Sequence, residues 1–340
     1  MSNKFDIVII GSGNGGFGVY AIAAEAGKSI AFVESLDFGG TCPNRGCTPK
    51  KVLVAAAQSL ETIANASVHG IDVGPAKLDW AKLIDRETDM VSGIPAGMQG
   101  LAEKRGTVFH GEAKFVGPNS VEVGGTILEA DNIVIATGSK PRDLPIPGAD
   151  LMITSDEVLK AEAERIGITV KTGVSVNEIS WADGRLQVAY AHDSQDLIVT
   201  ADHVVNGAGR IANVDALDLD AGNIAHDGVS IDVDEYLRST SNPAVWVVGD
   251  ALTISPQLSP VATYEGRIVG RIERYDPRLS DVFVGCQKHV LTGPAVRYRR
   301  CRYRPPRCRT RRPSKPLCNP PPGWRRSALP VPVQRPYRPS

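Results

Sequence analysis

The chain has 340 residues, 42% of them apolar, with 38 basic and 38 acidic side chains and a formal net charge of zero. That length admits about two domains, and no apolar run reaches the ~18 residues of a membrane-spanning helix. The zero average hides a split, so it excludes nothing about partners: residues 291–340 hold 13 Arg, one Lys, no acidic residue and 12 of the 24 prolines, while residues 1–290 carry a net of −14.

The N-terminus, "MSNKFDIVII", enters a strand-like run within five residues. No room is left for a basic stretch, an apolar stretch and a cleavage site, so no signal peptide is expected. The expected compartment is the cytoplasm, where lasting structural disulfides are rare. "FDIVII" (Phe5 to Ile10) is an apolar, β-branched run suited to a buried parallel strand. "GSGNGG" follows at once and gives Gly11-x-Gly13-x-x-Gly16. "FGVYAIAAEAG" then has helical spacing and stops at Gly27, and "KSIAFVE" predicts a second strand closing on Glu34.

Each of these positions has a physical reason. Gly11 permits a tight turn, Gly13 lets backbone N–H groups approach a pyrophosphate, and Gly16 lets helix and strand pack closely. The helix N-terminus adds partial positive charge. Glu34 lies 23 residues after Gly11, near the ~20 expected of an acid that binds a ribose hydroxyl. Strand, glycines, helix, strand and acid in that order predict a dinucleotide site, without saying which dinucleotide.

Residues 39 to 51 read "GGTCPNRGCTPKK", with Cys42 and Cys47 behind two glycines and ahead of a proline and two lysines. Four readings compete on the residues alone. Zinc usually takes four ligands, and no further His or Cys cluster completes a set, since Cys286, Cys301, Cys308 and Cys318 lie in or near the tail; no metal site is expected. A structural disulfide is disfavoured in the cytosol. Buried inert thiols are possible, although Gly39, Gly40, Gly46 and Pro49 suggest a tight backbone approach to a ligand. The fourth reading is a dithiol that exchanges electrons, with Lys50 and Lys51 favouring thiolate.

The segment closely resembles the redox-active stretch of the flavin-dependent pyridine nucleotide–disulfide oxidoreductases, whose pattern GGTCxxxGCxPxK is matched at every fixed position. The double lysine is most similar to glutathione-reductase-type members. The resemblance implies an α/β, Rossmann-like fold, FAD at the first glycine motif with Gly40 and Thr41 among its contacts, and a small-molecule disulfide as substrate. It implies Cys47 as the charge-transfer thiolate beside the flavin and Cys42 as the interchange thiol. It places Lys50 or Lys51 near the flavin, leaving open which. Three further segments carry the likeness: "NIVIATGSKPRDLPIPG" (Asn132 to Gly148) with Thr137 and Gly138, "VVNGAGRIANVDALDLDAGN" (Val204 to Asn223), and "RSTSNPAVWVVGD" (Arg238 to Asp250). In the last, Gly249 and Asp250 end a strand, and the family's Asp binds the ribityl chain. "SPQLSPVATYEGRIVG" is similar to the family's segment whose helix N-terminus faces the flavin.

The same resemblance shows two departures. Family members insert a unit with its own GxGxxG that binds NADH or NADPH, and no such motif occurs between residues 150 and 200. Those 50 residues stand where ~100 or more would be needed, so an internal deletion of the nicotinamide-binding core is expected. The family's dimer-interface domain, which supplies a His–Glu pair, also has no counterpart: His289 in "CQKHVLTGP" does not match, and His203 and His226 look ordinary. The tail suits either a basic nucleic-acid arm or a reading-frame slip; the slip is favoured, disorder is predicted, and no nucleic-acid partner is expected.

The expected organisation is therefore a first FAD half over 1–150 with the cysteine pair, a remnant of the nicotinamide unit over 151–200, a second FAD half over 201–270, and a disordered tail over 271–340. The two FAD halves should form one parallel-sheet unit with helices on both faces. The expected activity is FAD-dependent disulfide reduction of the glutathione reductase type, impaired in this chain. The alternatives are dihydrolipoamide dehydrogenase or mercuric reductase chemistry, or an FAD-binding fragment without turnover.

Overall fold

The computed structural model describes residues 3–158 and 171–275, all within one unit. The expectations for the tail, including His289 and the four later cysteines, lie outside the described residues. The chain begins with β1 (Lys4–Ile10), α1 (Asn14–Glu25) and β2 (Ile30–Glu34). The redox segment follows as α2 (Thr41–Arg45) and α3 (Cys47–Ala64), then α4 (Trp80–Ser92) and α5 (Ile94–Glu103). Four strands come next: β3 (Thr107–His110), β4 (Ala113–Gly117), β5 (Ser120–Val123) and β6 (Thr126–Ile135). Short β7 (Ser139–Pro141) and α6 (Ser155–Val158) precede a meander of β8 (Ser175–Ala182), β9 (Arg185–His192) and β10 (Gln195–Ala201). The described chain ends with β11 (Arg210–Ala212), β12 (Val245–Val247) and α7 (Ser259–Tyr275). Helix α7 thus continues five residues past the boundary expected at 270.

The main sheet joins both halves of the chain. Strands run in the order β3-β2-β1-β6, with β12 also on β6, and every one of these pairings is parallel. Ile7 to Ile10, Ile30 to Val33, Ile133 to Ile135 and Val245 to Val247 are all buried. Such unbroken apolar runs belong to strands covered on both faces. The chain leaves β1 towards β2 and β3 on one side and returns through β6 and β12 on the other. The crevice at the strand C-termini between β1 and β6 is therefore the switch point at which open α/β sheets take ligands.

Two features were not expected from the sequence. β6 is long enough to pair twice: its end lies between β1 and β12, and its start forms an antiparallel ladder with β5, which pairs in turn with β4. The β5–β6 turn is Gly124-Gly125, both at positive φ, a hairpin signal inside a chain otherwise read for parallel strands. Helices α1 and α7 also approach to backbone contact. A Cβ on Gly266 would lie 2.2 Å from the Gly15 oxygen, and one on Gly18 would lie 2.7 Å from the Thr263 oxygen.

The region read as a remnant is a three-stranded antiparallel sheet in the order β10-β9-β8. It is tied to the body where Ile179 N donates to the Pro147 oxygen at 3.0 Å. Trp181, Ile198 and Val199 on this sheet are exposed.

Candidate active site

The ends of three parallel strands build one groove. Gly11 N donates to the Val33 oxygen at 2.8 Å, Ala136 N to the Ile10 oxygen at 2.8 Å, and Val248 N to the Ile135 oxygen at 3.0 Å. The loops after β1, β6 and β12 therefore emerge side by side. They line a groove of about 440 Å³ that also meets Glu34, Gly40, Thr41, Cys42, Cys47 and Asp250. A larger hollow of about 750 Å³ near the end of α3, lined by Leu60, Ile63 and residues 70–76, contains none of these groups.

The glycines divide by what surrounds them. Gly11 has φ +100°, and a Cβ there would sit 2.3 Å from the Ala136 oxygen. At Gly16 it would sit 2.1 Å from the Gly11 oxygen. Packing alone therefore requires these two glycines. Gly13 is different: its Cβ would meet only Gly40 Cα, at an ordinary 3.9 Å. The protein leaves open space at Gly13, and a ligand approaching the backbone would fill it.

The redox segment stacks directly on this turn. Gly39 and Gly40 both have positive φ, and a Cβ on Gly40 would lie 2.7 Å from Gly13 Cα. Gly39 N donates to the Ser12 oxygen at 3.2 Å. Asn44 Nδ2 then donates to the carbonyls of Phe38 and Gly40 at 2.9 and 3.0 Å, folding α2 back over the glycine pair. Gly46 separates α2 from α3 and leaves Cys47 as the first residue of the longer helix. Arg45 forms ion pairs with Asp37 at 2.6 Å and Asp156 at 3.4 Å.

Both thiols are free and half-buried, and their surroundings pull them apart. Cys47 lies below the usual thiol range. The largest cause is the Cys42 thiol donating to its sulfur; burial opposes this, and Ser259, Lys51 and Lys50 add to it in that order. Cys42 is pushed up, first by burial. The anion therefore settles on Cys47. Lys50 and Lys51 are both exposed. Lys51 stands one helical turn after Cys47, where side chains share a face, and its charge acts on Cys47 more strongly than that of Lys50.

The polar groups fit a dinucleotide. Glu34 accepts from Ser12 N at 2.8 Å and Ser12 Oγ at 2.7 Å, and its other oxygen accepts from Leu36 N at 2.9 Å. The Thr137 hydroxyl is buried with no protein partner, as expected of a group reserved for a ligand. Gly138 beside it has φ +72°. Asp250 accepts from Ser139 Oγ at 3.1 Å, while Arg210 Nε donates to the same hydroxyl at 2.9 Å. Burial pushes the Asp250 carboxyl up, with Ser139 and Arg210 partly opposing.

Sequence reasoning missed three groups in the second half. Glu265 on α7 is 2% exposed and accepts from Gly249 N at 2.8 Å and from Ser255 Oγ, so it holds the turn that presents Asp250. Its carboxyl is pushed up, chiefly by burial and further by the Asp250 charge. Ser259 at the start of α7 lies 3.7 Å from Cys47 Sγ. Arg210 was quoted within a segment and given no role. Helical spacing did not distinguish Glu265 from a solvated acid, because its burial depends on β12 and α1. His226 Nδ1 accepts from Gly228 N at 3.0 Å and its Nε2 faces Asp220, an ordinary loop role; His203 is exposed. Among the described residues, no cluster of three or more His, Cys, Asp or Glu could hold a metal ion, and no helix is long and apolar enough to cross a membrane.

Comparison with known proteins gives the same frame. The sequence pattern described as "Pyridine nucleotide-disulphide oxidoreductase" matches residues 5–163 and again residues 153–266. A glutathione reductase of Burkholderia cepacia is 31% identical over 317 residues, covering 77% of this chain and 70% of that protein. A dihydrolipoyl dehydrogenase of Cupriavidus necator is 29% identical over 352 residues, covering 82% and 74%. A glutathione reductase of a Nostoc species is 29% identical over 335 residues, covering 78% and 72%. With more than half of its residues matched to that pattern, the chain belongs to the pyridine nucleotide–disulphide oxidoreductases, a family of flavin-dependent enzymes.

Proposed function

We propose that this chain is a disulfide reductase of the glutathione reductase type, with Cys42 and Cys47 as its exchanging pair and FAD as its bound cofactor. One observation carries the reading: the two thiols line the dinucleotide groove with their acidities driven in opposite directions. The double lysine after Pro49 favours the glutathione type over the dihydrolipoyl type, although relatives of both names are similar to the chain. Gly11, Gly13, Gly16, Glu34, Gly40, Thr41, Thr137, Gly138, Gly249 and Asp250 would hold the cofactor, with Glu34 at the ribose end and Asp250 at the flavin end. When bound, FAD supplies a two-electron carrier between a hydride donor and the thiol pair.

The protein's own steps are thiol–disulfide exchange. Two electrons and one proton open the Cys42–Cys47 disulfide to a Cys42 thiol and a Cys47 thiolate. Cys42, once deprotonated, attacks one sulfur of the substrate RS–SR. The S–S bond breaks, a mixed disulfide forms on Cys42, and RS⁻ leaves. The Cys47 thiolate then attacks the Cys42 sulfur, releases the second RS⁻ and restores the internal disulfide. Both leaving thiolates take protons and depart as RSH. Of the two lysines, Lys51 is the one we assign to the flavin side, since its charge acts on Cys47 more strongly than that of Lys50.

We further propose that the nicotinamide-binding core is deleted between residues 150 and 200 and that nicotinamide-dependent turnover is weak. Supporting this, the Burkholderia alignment spans 317 positions, while 77% of 340 residues falls well short of that number. The family pattern also matches twice, with its two stretches overlapping at residues 153–163. β8 to β10 would be the surviving edge of the lost unit.

The test is the visible spectrum of the purified protein before and after one equivalent of dithiothreitol, followed by NADPH with glutathione disulfide or NAD⁺ with dihydrolipoamide. The proposal expects a flavin band that gains a long-wavelength shoulder on thiol reduction, and slow turnover with either pair. A protein that stays colourless with added FAD refutes the cofactor site. Turnover at family-like rates refutes the impairment, and dihydrolipoamide outpacing glutathione disulfide refutes the assigned type.

A further inference from the structure

We propose that Ser259 is a positioning residue for the thiol pair, its single O–H proton hydrogen-bonding the Cys47 sulfur when that sulfur carries charge. The inference rests on the reading of Cys42 and Cys47 as a redox pair and goes beyond it by naming what stabilises one member.

The geometry comes from both halves of the chain. Ser259 Oγ lies 3.7 Å from Cys47 Sγ across 212 residues of sequence, a normal separation for a contact to sulfur, whose radius exceeds that of oxygen. Cys47 is the first residue of α3, which has no side-chain cap. Ser259 is the first residue of α7. Two helix N-termini, each with partial positive charge, therefore meet at one sulfur, and the serine hydroxyl bridges them.

The backbone of Ser259 is held in place, which keeps its hydroxyl beside the thiol pair. Its carbonyl accepts from Asn14 Nδ2 at 3.3 Å and from Thr263 Oγ1 at 3.0 Å. The axis of α7 is fixed by the glycine contacts to α1, where a side chain on Gly266 would collide with the Gly15 oxygen. The tether to Asn14 matters because Asn14 opens α1 directly after the dinucleotide turn. The same arrangement thus ties the cofactor turn, the second chain half and the thiol pair together.

A hydroxyl has one proton to give. Ser259 favours the charged form of either thiol, but its proton serves only one at a time, and its contact at 3.7 Å is with Cys47. Cys47 also receives the Cys42 S–H and the fields of Lys51 and Lys50, whereas burial holds Cys42 neutral. The serine proton is therefore drawn to Cys47. When Cys42 loses its proton during exchange, the same hydroxyl can turn to it, so Ser259 serves the anion wherever it sits.

The test is peptide-resolved alkylation of the reduced full-length protein with iodoacetamide across pH, read by mass spectrometry. Arg45 lies between the two cysteines, so trypsin separates them into different peptides. The decisive pair is S259V and S259T, similar in shape and differing in the hydroxyl. Losing one hydrogen bond to a charged group should raise the Cys47 midpoint by about one pH unit in S259V. At fixed pH below the midpoint, the alkylation rate should fall only about three- to fourfold, because a more basic thiolate is the better nucleophile. S259T should keep the wild-type midpoint. Equal shifts in both variants, or no shift in S259V, overturn the proposal. If S259V fails to fold by circular dichroism, S259A against S259T makes the same comparison. Alkylation needs no cofactor: a protein that never holds flavin but shows the expected shift refutes the proposed function and leaves this inference standing.

Discussion

Replacing Gly13 and Gly16 by alanine, one at a time, should produce opposite defects in the same motif. At Gly16 the new Cβ would lie 2.1 Å from the Gly11 oxygen and 3.1 Å from Ile9 Cγ2. The first contact is with backbone and must open by more than an ångström, which displaces α1 from β1. Overpacking of this kind costs about 1–3 kcal/mol or more, while alanine returns up to about 1 kcal/mol of helix propensity. A net loss of about 2 kcal/mol would lower the Tm by roughly 4–8 °C for a domain of this size. At Gly13 the Cβ meets only Gly40 Cα at 3.9 Å, and the residue is a helix N-cap outside the positive-φ region. There the penalty is a poorer cap, under about 1 kcal/mol. The flavin-free G13A protein should therefore melt within about 3 °C of the wild type, yet lose FAD affinity at least about tenfold, or 1.4 kcal/mol. Calorimetry of the flavin-free proteins and a fluorescence titration with FAD measure the two effects. If G13A destabilises the flavin-free protein as much as G16A does, the open space at Gly13 is not reserved for a ligand, and the division of the motif into structural and binding glycines fails.

Three further outcomes follow from the same contacts. Across pH, Cys47 should alkylate at lower pH than Cys42, since donors lower the first thiol and burial raises the second; the reverse order in peptide-resolved alkylation would contradict the assignment of the anion. Glu265→Ala should cost about 2–4 kcal/mol in a urea titration, because it strands Gly249 N–H and the Ser255 hydroxyl in a buried site. Glu265→Gln keeps an acceptor and should cost much less. Gly266→Ala, whose Cβ would strike the Gly15 oxygen at 2.2 Å, should both destabilise the protein and raise the Cys47 alkylation midpoint, because it moves α7 and Ser259 with it.

What could be read from the sequence follows from how local each signal is. β1, β2 and β12 were legible because strands buried on both faces leave unbroken apolar runs, and the glycine motif follows its strand within one residue. The cysteine stretch was legible because its glycines, proline and lysines act over a dozen residues. The antiparallel ladder of β4 and β5 escaped notice, although Gly124-Gly125 marks its turn, because "VEVGGTILEA" looks like any polar hairpin until β6 is seen to serve two neighbours. Ser259 and Glu265 carry no local signal. One matters through a sulfur 212 residues earlier and the other through a turn 16 residues earlier, and both contacts exist only because Gly266 and Gly18 let two helices touch. Their glycines were in plain view, but helical glycines predict close packing only when the partner helix is known.

The pH dependence of stability separates the two carboxylates of the flavin end from the thiols of the redox segment. Asp250 and Glu265 both have folded-state pKa values raised by burial, and the Asp250 charge pushes Glu265 up further. The native state therefore holds more protons than the unfolded chain once pH exceeds the ordinary carboxylate range. Through that window stability falls as pH rises, and it recovers on acidification until other carboxylates, such as Asp6 and Asp215 with lowered values, begin to lose their partners. Cys47 acts in the opposite sense at higher pH: its lowered value means the native state releases a proton first, so stability rises with pH between its folded and unfolded values. Stability measured by urea titration from pH 5 to 9 should show a decline from the acidic side, flattened in Glu265→Gln, and a thiol-dependent rise in the alkaline half, lost in Cys47→Ser. A Glu265→Gln protein with an unchanged slope would mean that the buried carboxylate does not titrate in this range. The turn at Gly249 would then be held by a permanently ionised Glu265, and Asp250 would face the cofactor beside a fixed negative charge.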